Sequence, residues 1–130
     1  MAESIPKQNL STLLKKKYIN LTTYRKNGEG VSTPVIFAEK NDKIYVETQS
    51  TTYKVARIKN NPKVKIAPCN MIGKGVGQYL EGKVRILSNL EQDVAIEALK
   101  KKYFRYRIRD KIKGKKSQEE DIYLEIILEI

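Results

Sequence analysis

The sequence predicts a mainly β domain with accessory helices, an α+β class built on six largely antiparallel strands curled into a closed or nearly closed barrel. Three observations predict it. Apolar–polar alternation, the period of a half-buried strand, recurs in short stretches along the chain. The connections between the early stretches are too short for crossover helices, so those strands pair antiparallel. The last stretch, Ile122 to Ile130, puts Ile122, Leu124, Ile126, Leu128 and Ile130 on one side, and a face so apolar closes the sheet against its core. A chain of 130 residues fits one domain, 1–130, that buries roughly two thirds of its unfolded surface. Six strands in so small a domain avoid exposed edges by closing on themselves, with helices capping the ends.

Taken in order, Ser4 caps a short helix with Pro6 in its first turn and Leu10, Leu13 and Leu14 on its apolar side. From Lys17 the period becomes two, with Ile19, Leu21 and Thr23 facing one way and Tyr18, Asn20, Thr22 and Tyr24 the other. Asn27-Gly28 is a turn dipeptide, and Val31 to Ala38 forms the second strand of a hairpin. Pro34 lies inside that strand and has no N–H to give, so it belongs at an edge, a bulge or a ligand. A polar turn then leads to Ile44–Thr48, the third strand. A helix follows near Tyr53–Asn60, with Val55 and Ile58 as its buried side and Asn61-Pro62 as its stop. Lys63–Cys69 and Gln78–Leu87 are the next two strands. The alternate glycines Gly73, Gly75 and Gly77 between them precede no helix, so they form a flexible hairpin connection rather than a nucleotide loop. Gly82 marks a bulge or a bend. Ser88 or Asn89 caps a further helix with Glu91 and Asp93 in its first turn. Its apolar stripe of Val94, Ala95, Ala98 and Leu99 runs on through Phe104, Ile108 and Ile112 to Gly114.

Composition excludes several chemistries. There is no histidine and a single cysteine, Cys69, so neither a Cys/His zinc site nor a Ser-His-Asp or Cys-His mechanism can be built, and no internal disulfide. Catalysis must use a cofactor, or carboxylate, Lys or Tyr groups. No apolar run reaches the roughly 18 residues of a membrane span, and the N-terminal stretch lacks a signal peptide's apolar core. A soluble, cytoplasmic protein is expected. The net charge of +11 invites a nucleic-acid reading, but no platform of interleaved aromatic and basic residues accompanies it. Residues 1–65 carry 13 basic and 5 acidic groups, against 13 and 10 in the second half.

The stretch Thr48–Cys69 carries the most chemistry. A hydroxyl-rich loop runs into a helix N-terminus, where unsatisfied N–H groups and the helix dipole favour an anion. Lys54 and Arg57, three apart, share the face beside it. The same pattern opens ordinary helices, with Ser50, Thr51 or Thr52 as N-cap and the two cations as a solvated face. The residues alone leave both readings standing.

The order of the segments LTTYRKNGEGVSTPVIF, IYVETQSTTYKVARIKNNPKVKIAPC and YLEGKVRIL resembles the pyridoxamine 5′-phosphate oxidase-like split-barrel flavoproteins. Among them it is most similar to the oxidoreductases dependent on the deazaflavin coenzyme F-420. The resemblance covers residues 18–103 and the last strand, and it implies a homodimer holding FMN or coenzyme F-420 at its interface. It places Thr48, Ser50, Lys54 and Arg57 on the cofactor phosphate and Ser32, Thr33, Pro34 and Val35 along the ring system. Cys69, Gln78 and Tyr79 of the second subunit would complete the pocket. The implied activity is hydride transfer to or from a small-molecule substrate, with no metal and no named catalytic side chain. A carrier or redox sensor without turnover is the alternative, and a basic nucleic-acid binder the remote one. The basic segment Lys101 to Lys116 matches no family pattern; it is either a clamp for an anionic cofactor tail or a solvated helix and loop.

Overall fold

The structure, a computed structural model, describes residues 13–103 and 121–129. Its elements are β1 (Tyr18–Tyr24), β2 (Gly30–Ile36), β3 (Ala38–Lys40), β4 (Lys43–Gln49), α1 (Tyr53–Asn60), β5 (Lys63–Cys69), β6 (Leu80–Ile86), α2 (Asp93–Lys102) and β7 (Asp121–Leu128). The strands form one antiparallel sheet in the order β2-β1-β5-β6-β7-β4-β3.

The sheet has seven strands rather than the six expected, because the expected strand Val31–Ala38 changes partner partway. Residues up to Ile36 pair with β1, and from Ala38 the chain pairs with β4. Phe37 is the single residue between, and it is fully buried. The two ends of the sheet are therefore joined by one residue, which is what curls it. The inner face carries Ile19, Leu21, Phe37, Ile44, Val46, Val64, Ile66, Val84, Leu124 and Ile126. Ile58 of α1 joins the same cluster, so α1 packs against the inner face of the curl.

A strand that changes partner strands its own backbone groups at the corner, and buried groups of this kind need partners. Tyr103 supplies them. Its hydroxyl accepts the Phe37 N–H at 3.1 Å and lies within donating reach of the carbonyls of Phe37 and, at 2.8 Å, Lys17. Tyr103→Phe is expected to lose about 1–3 kcal/mol of stability, the cost of orphaned buried groups; urea midpoints measure it. Burial pushes both Tyr103 and Tyr45 up to about 12, from the usual 10. Because the folded values are raised, the stability they confer is present below pH 10 and lost as pH climbs from 10 through 12. The Tyr103→Phe protein should show a shallower decline over that range.

The expected cap on α2 gave way to a side-chain competition. Glu91 accepts the Ser88 N–H and two bonds from Arg85, so the helix starts later, with Gln92 at the N-cap position. At the other end Tyr103 is extended and the helix stops at Lys102. Phe104, Ile108 and Ile112, expected to prolong it, lie outside the described residues, as do Ser4, Pro6 and Leu10. α2 does not cap an end of the sheet. It lies on the outer face, where Ala95, Ala98 and Leu99 pack with Ala38, Tyr45, Leu87 and Tyr123. Gly82 sits in continuous ladders on both sides, with no bulge; a Cβ there would stand 2.7 Å from the Ile127 carbonyl oxygen, so the glycine permits a close approach of β7.

Candidate functional site

α1 begins where β4 ends, and the residues between them form a loop of hydroxyls. Thr52 occupies the N-cap position, yet its hydroxyl donates backward to the Gln49 carbonyl at 3.0 Å and caps nothing. Thr48 Oγ1, nearly buried, lies 3.5 Å from Thr52 Oγ1. Ser50 stands half-buried in the turn. The first turn of α1 contains no acidic residue; the Val55 N–H is taken by the Thr52 carbonyl at 3.2 Å, and the N–H groups before it meet neither a side-chain cap nor a carboxylate of that turn. The expectation that a hydroxyl caps this helix is not met, and the anion reading keeps its geometry.

Lys54 and Arg57 flank this start. Burial lowers the Lys54 ammonium below its ordinary value and the Arg57 charge lowers it further. Arg57 is itself lowered by burial and then by Arg25. Like charges held together, partly buried, are unfavourable in the ligand-free protein, and such arrangements concentrate at functional sites. Arg57 is aimed by Thr23, whose Oγ1 accepts from Nε at 2.6 Å. Sequence reasoning missed Thr23, which it placed on the core face with Ile19 and Leu21. Its hydroxyl on an otherwise apolar face hints at a partner, but only its burial, 1% exposed, makes one necessary.

Pro34 lies on β2, an outermost strand bonded only to β1, so the edge placement expected of a mid-strand proline holds. The four residues expected beside the ring system divide between two faces. Ser32 and Pro34 are opposite Thr22 and Asn20 and are exposed, while Thr33 and Val35 are opposite Leu21 and Ile19 and turn inward. The Ser32 and Thr22 hydroxyls meet at 2.6 Å. Behind Pro34, Asn20 Nδ2 donates to the Gly73 carbonyl at 3.2 Å. The glycine-rich connection there is organised rather than loose, since Asn70 Oδ1 accepts from the N–H groups of both Ile72 and Lys74. Among the described residues, Thr33 Oγ1 is the buried side-chain polar atom left without a hydrogen-bond partner. A group bound along β2 would supply one, so this chain's residues fit a polar cofactor lying there.

Cys69, Gln78 and Tyr79, expected from a second subunit, lie on β5 and in the connection that follows it. Cys69 is opposite Tyr18, which is opposite Ile36, so it lies two strands, about 10 Å, from the end of the Ser32–Val35 stretch. Cys69 is buried, which pushes its thiol up, and Gln78 is exposed. The Tyr79 ring carries Lys65 Nζ at 4.5 Å from its centroid. No group of histidine, cysteine and carboxylate residues among the described residues is placed to hold a metal ion, and no helix among them is long and apolar enough to cross a membrane.

The structure is similar to that of a heme storage protein from Vibrio cholerae, with a TM-score of 0.69 at 11% identity, covering 98% of this chain and 92% of that one. A FAD-binding protein from Mesorhizobium loti matches with a TM-score of 0.64 at 16% identity, over 97% and 90%. A protein described as an F420 reductase matches with a TM-score of 0.56 at 16% identity, over 100% and 97%. At these identities the likeness concerns the fold. No protein of curated function matches the sequence. The family described as pyridoxamine 5′-phosphate oxidase matches residues 5–125, nearly the whole chain, and the chain belongs to that family.

Proposed function

We propose that this protein binds FMN or the deazaflavin coenzyme F-420 and serves as an oxidoreductase toward a small-molecule substrate. The observation that carries the reading is the uncapped start of α1 flanked by Lys54 and Arg57, two partly buried cations with no carboxylate in that turn. Thr48 and Ser50 would complete the phosphate cradle. The unpartnered Thr33 hydroxyl and the Ser32–Val35 edge would hold the ring system. The neighbours described as a FAD-binding protein and an F420 reductase support this choice of cofactor class. When bound, such a cofactor supplies the hydride chemistry. The chain's own residues bind its phosphate, orient its ring and limit water access.

The pocket would be completed in a homodimer, with Cys69, Gln78 and Tyr79 of the second subunit approaching the ring. A tyrosine is the one polar hydrogen-bond donor in that trio able to face a ring while keeping its own ring packed. A carrier without turnover is the second reading; the fold is shared with a protein described as storing heme. The absorption spectrum of the purified protein, then titration with FMN and coenzyme F-420, tests the first claim. A shifted flavin spectrum with saturable binding is expected, and no binding of either would refute it. Cofactor oxidation or reduction on screening candidate substrates separates enzyme from carrier.

A further inference from the structure

The last turn of α2 carries Lys100, Lys101 and Lys102, where cations complement the helix dipole. Lys102 does more than that. Its Nζ is turned onto the Phe37 ring, 3.4 Å from the centroid, with the Tyr103 ring at 5.4 Å, and it borders a cavity of about 660 Å³ between α2 and β3. Leu14, Ala38 and Ala98 give this cavity an apolar wall, and Lys40, Lys100 and Lys101 stand around it. Of its two carboxylates, Glu39 is engaged by the Asp42 N–H at 2.8 Å, and Glu97 is exposed. The aromatic face favours an ammonium, but burial opposes it more strongly, and the Lys102 amine falls from the usual 10.5 to about 8. About a tenth of it is neutral at pH 7, roughly a few hundred times an ordinary lysine's share. A half-buried neutral amine facing a cavity is an activated nucleophile.

We infer that Lys102 is an acylation site, taking its acyl group from an acyl phosphate whose phosphate is held by Lys40 and Lys101. The step balances without a further reagent. The Nζ lone pair forms a C–N bond to the acyl carbon, the C–O bond to phosphate breaks, inorganic phosphate leaves with that electron pair, and the Nζ proton passes to water. The cations around the cavity match both the anionic donor and its anionic leaving group, and the apolar wall takes the acyl chain. An amide is neutral, so acylation removes the charge that burial opposes and leaves the side chain packed on Phe37. An aldehyde would give an imine that still takes up a proton in the same place, which is why the acyl donor is favoured. None of these residues belongs to the site at the start of α1, so the inference does not depend on the cofactor reading.

The test is to incubate the full chain with acetyl phosphate at pH 7 and follow every lysine by peptide mass spectrometry. Lys102 is expected to be acetylated about tenfold or more faster than the median lysine, and the preference should vanish in the chain unfolded in urea. Lys40→Gln combined with Lys101→Gln should slow Lys102 several-fold toward acetyl phosphate but not toward the N-hydroxysuccinimide ester of acetic acid, an uncharged donor. The uncharged donor also shows that the variant keeps its fold, since unfolding would slow Lys102 toward both. Acetylation of Lys102 no faster than that of the exposed lysines, or a preference that survives unfolding, overturns the site. A paired substitution that leaves the acetyl phosphate rate unchanged, or slows both donors alike, overturns the role given to the phosphate.

Discussion

Lys54→Ala is expected to weaken FMN binding by about ten- to a hundredfold while leaving the ligand-free protein as stable as before, or slightly more so. The loss follows from deleting a charge-assisted bond to phosphate, worth about 1.5–3 kcal/mol, and tenfold in affinity corresponds to about 1.4 kcal/mol. The gain follows from the ligand-free state, in which Lys54 is held half-buried beside Arg57 with both burial and like charge against it. Arg57→Ala should lose comparable affinity but behave differently without ligand. Thr23 Oγ1, buried and bonded to Arg57 at 2.6 Å, is then orphaned, and the protein should lose about 1–3 kcal/mol. Thermal melts of each variant with and without FMN distinguish the two. Undiminished FMN affinity in both would mean that no phosphate docks at the start of α1.

Glu125→Ala is expected to cost about 2–4 kcal/mol, in the range of breaking a buried ion pair reduced for the half-exposed Arg85. Glu125 is 4% exposed on the outer face of β7. Its carboxylate accepts from the Tyr45 hydroxyl and from Arg85 Nε, each at 2.9 Å, with Lys43 Nζ at 3.9 Å. Arg85 reaches on to Glu91 and so keeps a partner, but the Tyr45 hydroxyl, buried, does not. Glu125→Gln keeps an acceptor for Tyr45 and should lose about half as much. Urea unfolding reads both; a Glu125→Ala midpoint within error of the parent would show that the carboxylate holds nothing together.

Much of this architecture could be read from residue order, and the misses have a common cause. β1, β4, β5 and β7 announce themselves by alternation, the turn by the Asn27-Gly28 dipeptide, whose glycine indeed takes a positive φ of 91°, and α1 by Val55 and Ile58 before Asn61-Pro62. The partner change at Phe37 could not be read, because VSTPVIFA is strand-like throughout and pairing is a property of two segments, not one. Tyr123 and Glu125 look like a solvent face beside Leu124 and Ile126. Tyr123 is buried because α2 covers it, and Glu125 because Tyr45 and Arg85 close over it; nothing local to residues 121–129 says so. At the site, Lys54 and Arg57 were legible from their spacing. Thr23 was not, since its partner comes from 34 positions away.

The place of β7 in the sheet has a consequence for how the chain acquires its shape. Among the described residues it is the last strand, yet it lies between β6 and β4 and is the only strand that links the β2-β1-β5-β6 run to the β4-β3 pair by hydrogen bonds. Until Asp121–Leu128 has been synthesised, those two runs are joined by the chain alone, at Phe37 between β2 and β3 and through α1 between β4 and β5, and no strand lies between β4 and β6. Pairings so distant in sequence are intrinsically slow, because loop closure precedes any reward from contact. On the ribosome, then, the facing edges of β6 and β4 wait for Asp121–Leu128 to emerge, and closing the curl between them is expected to be a late event.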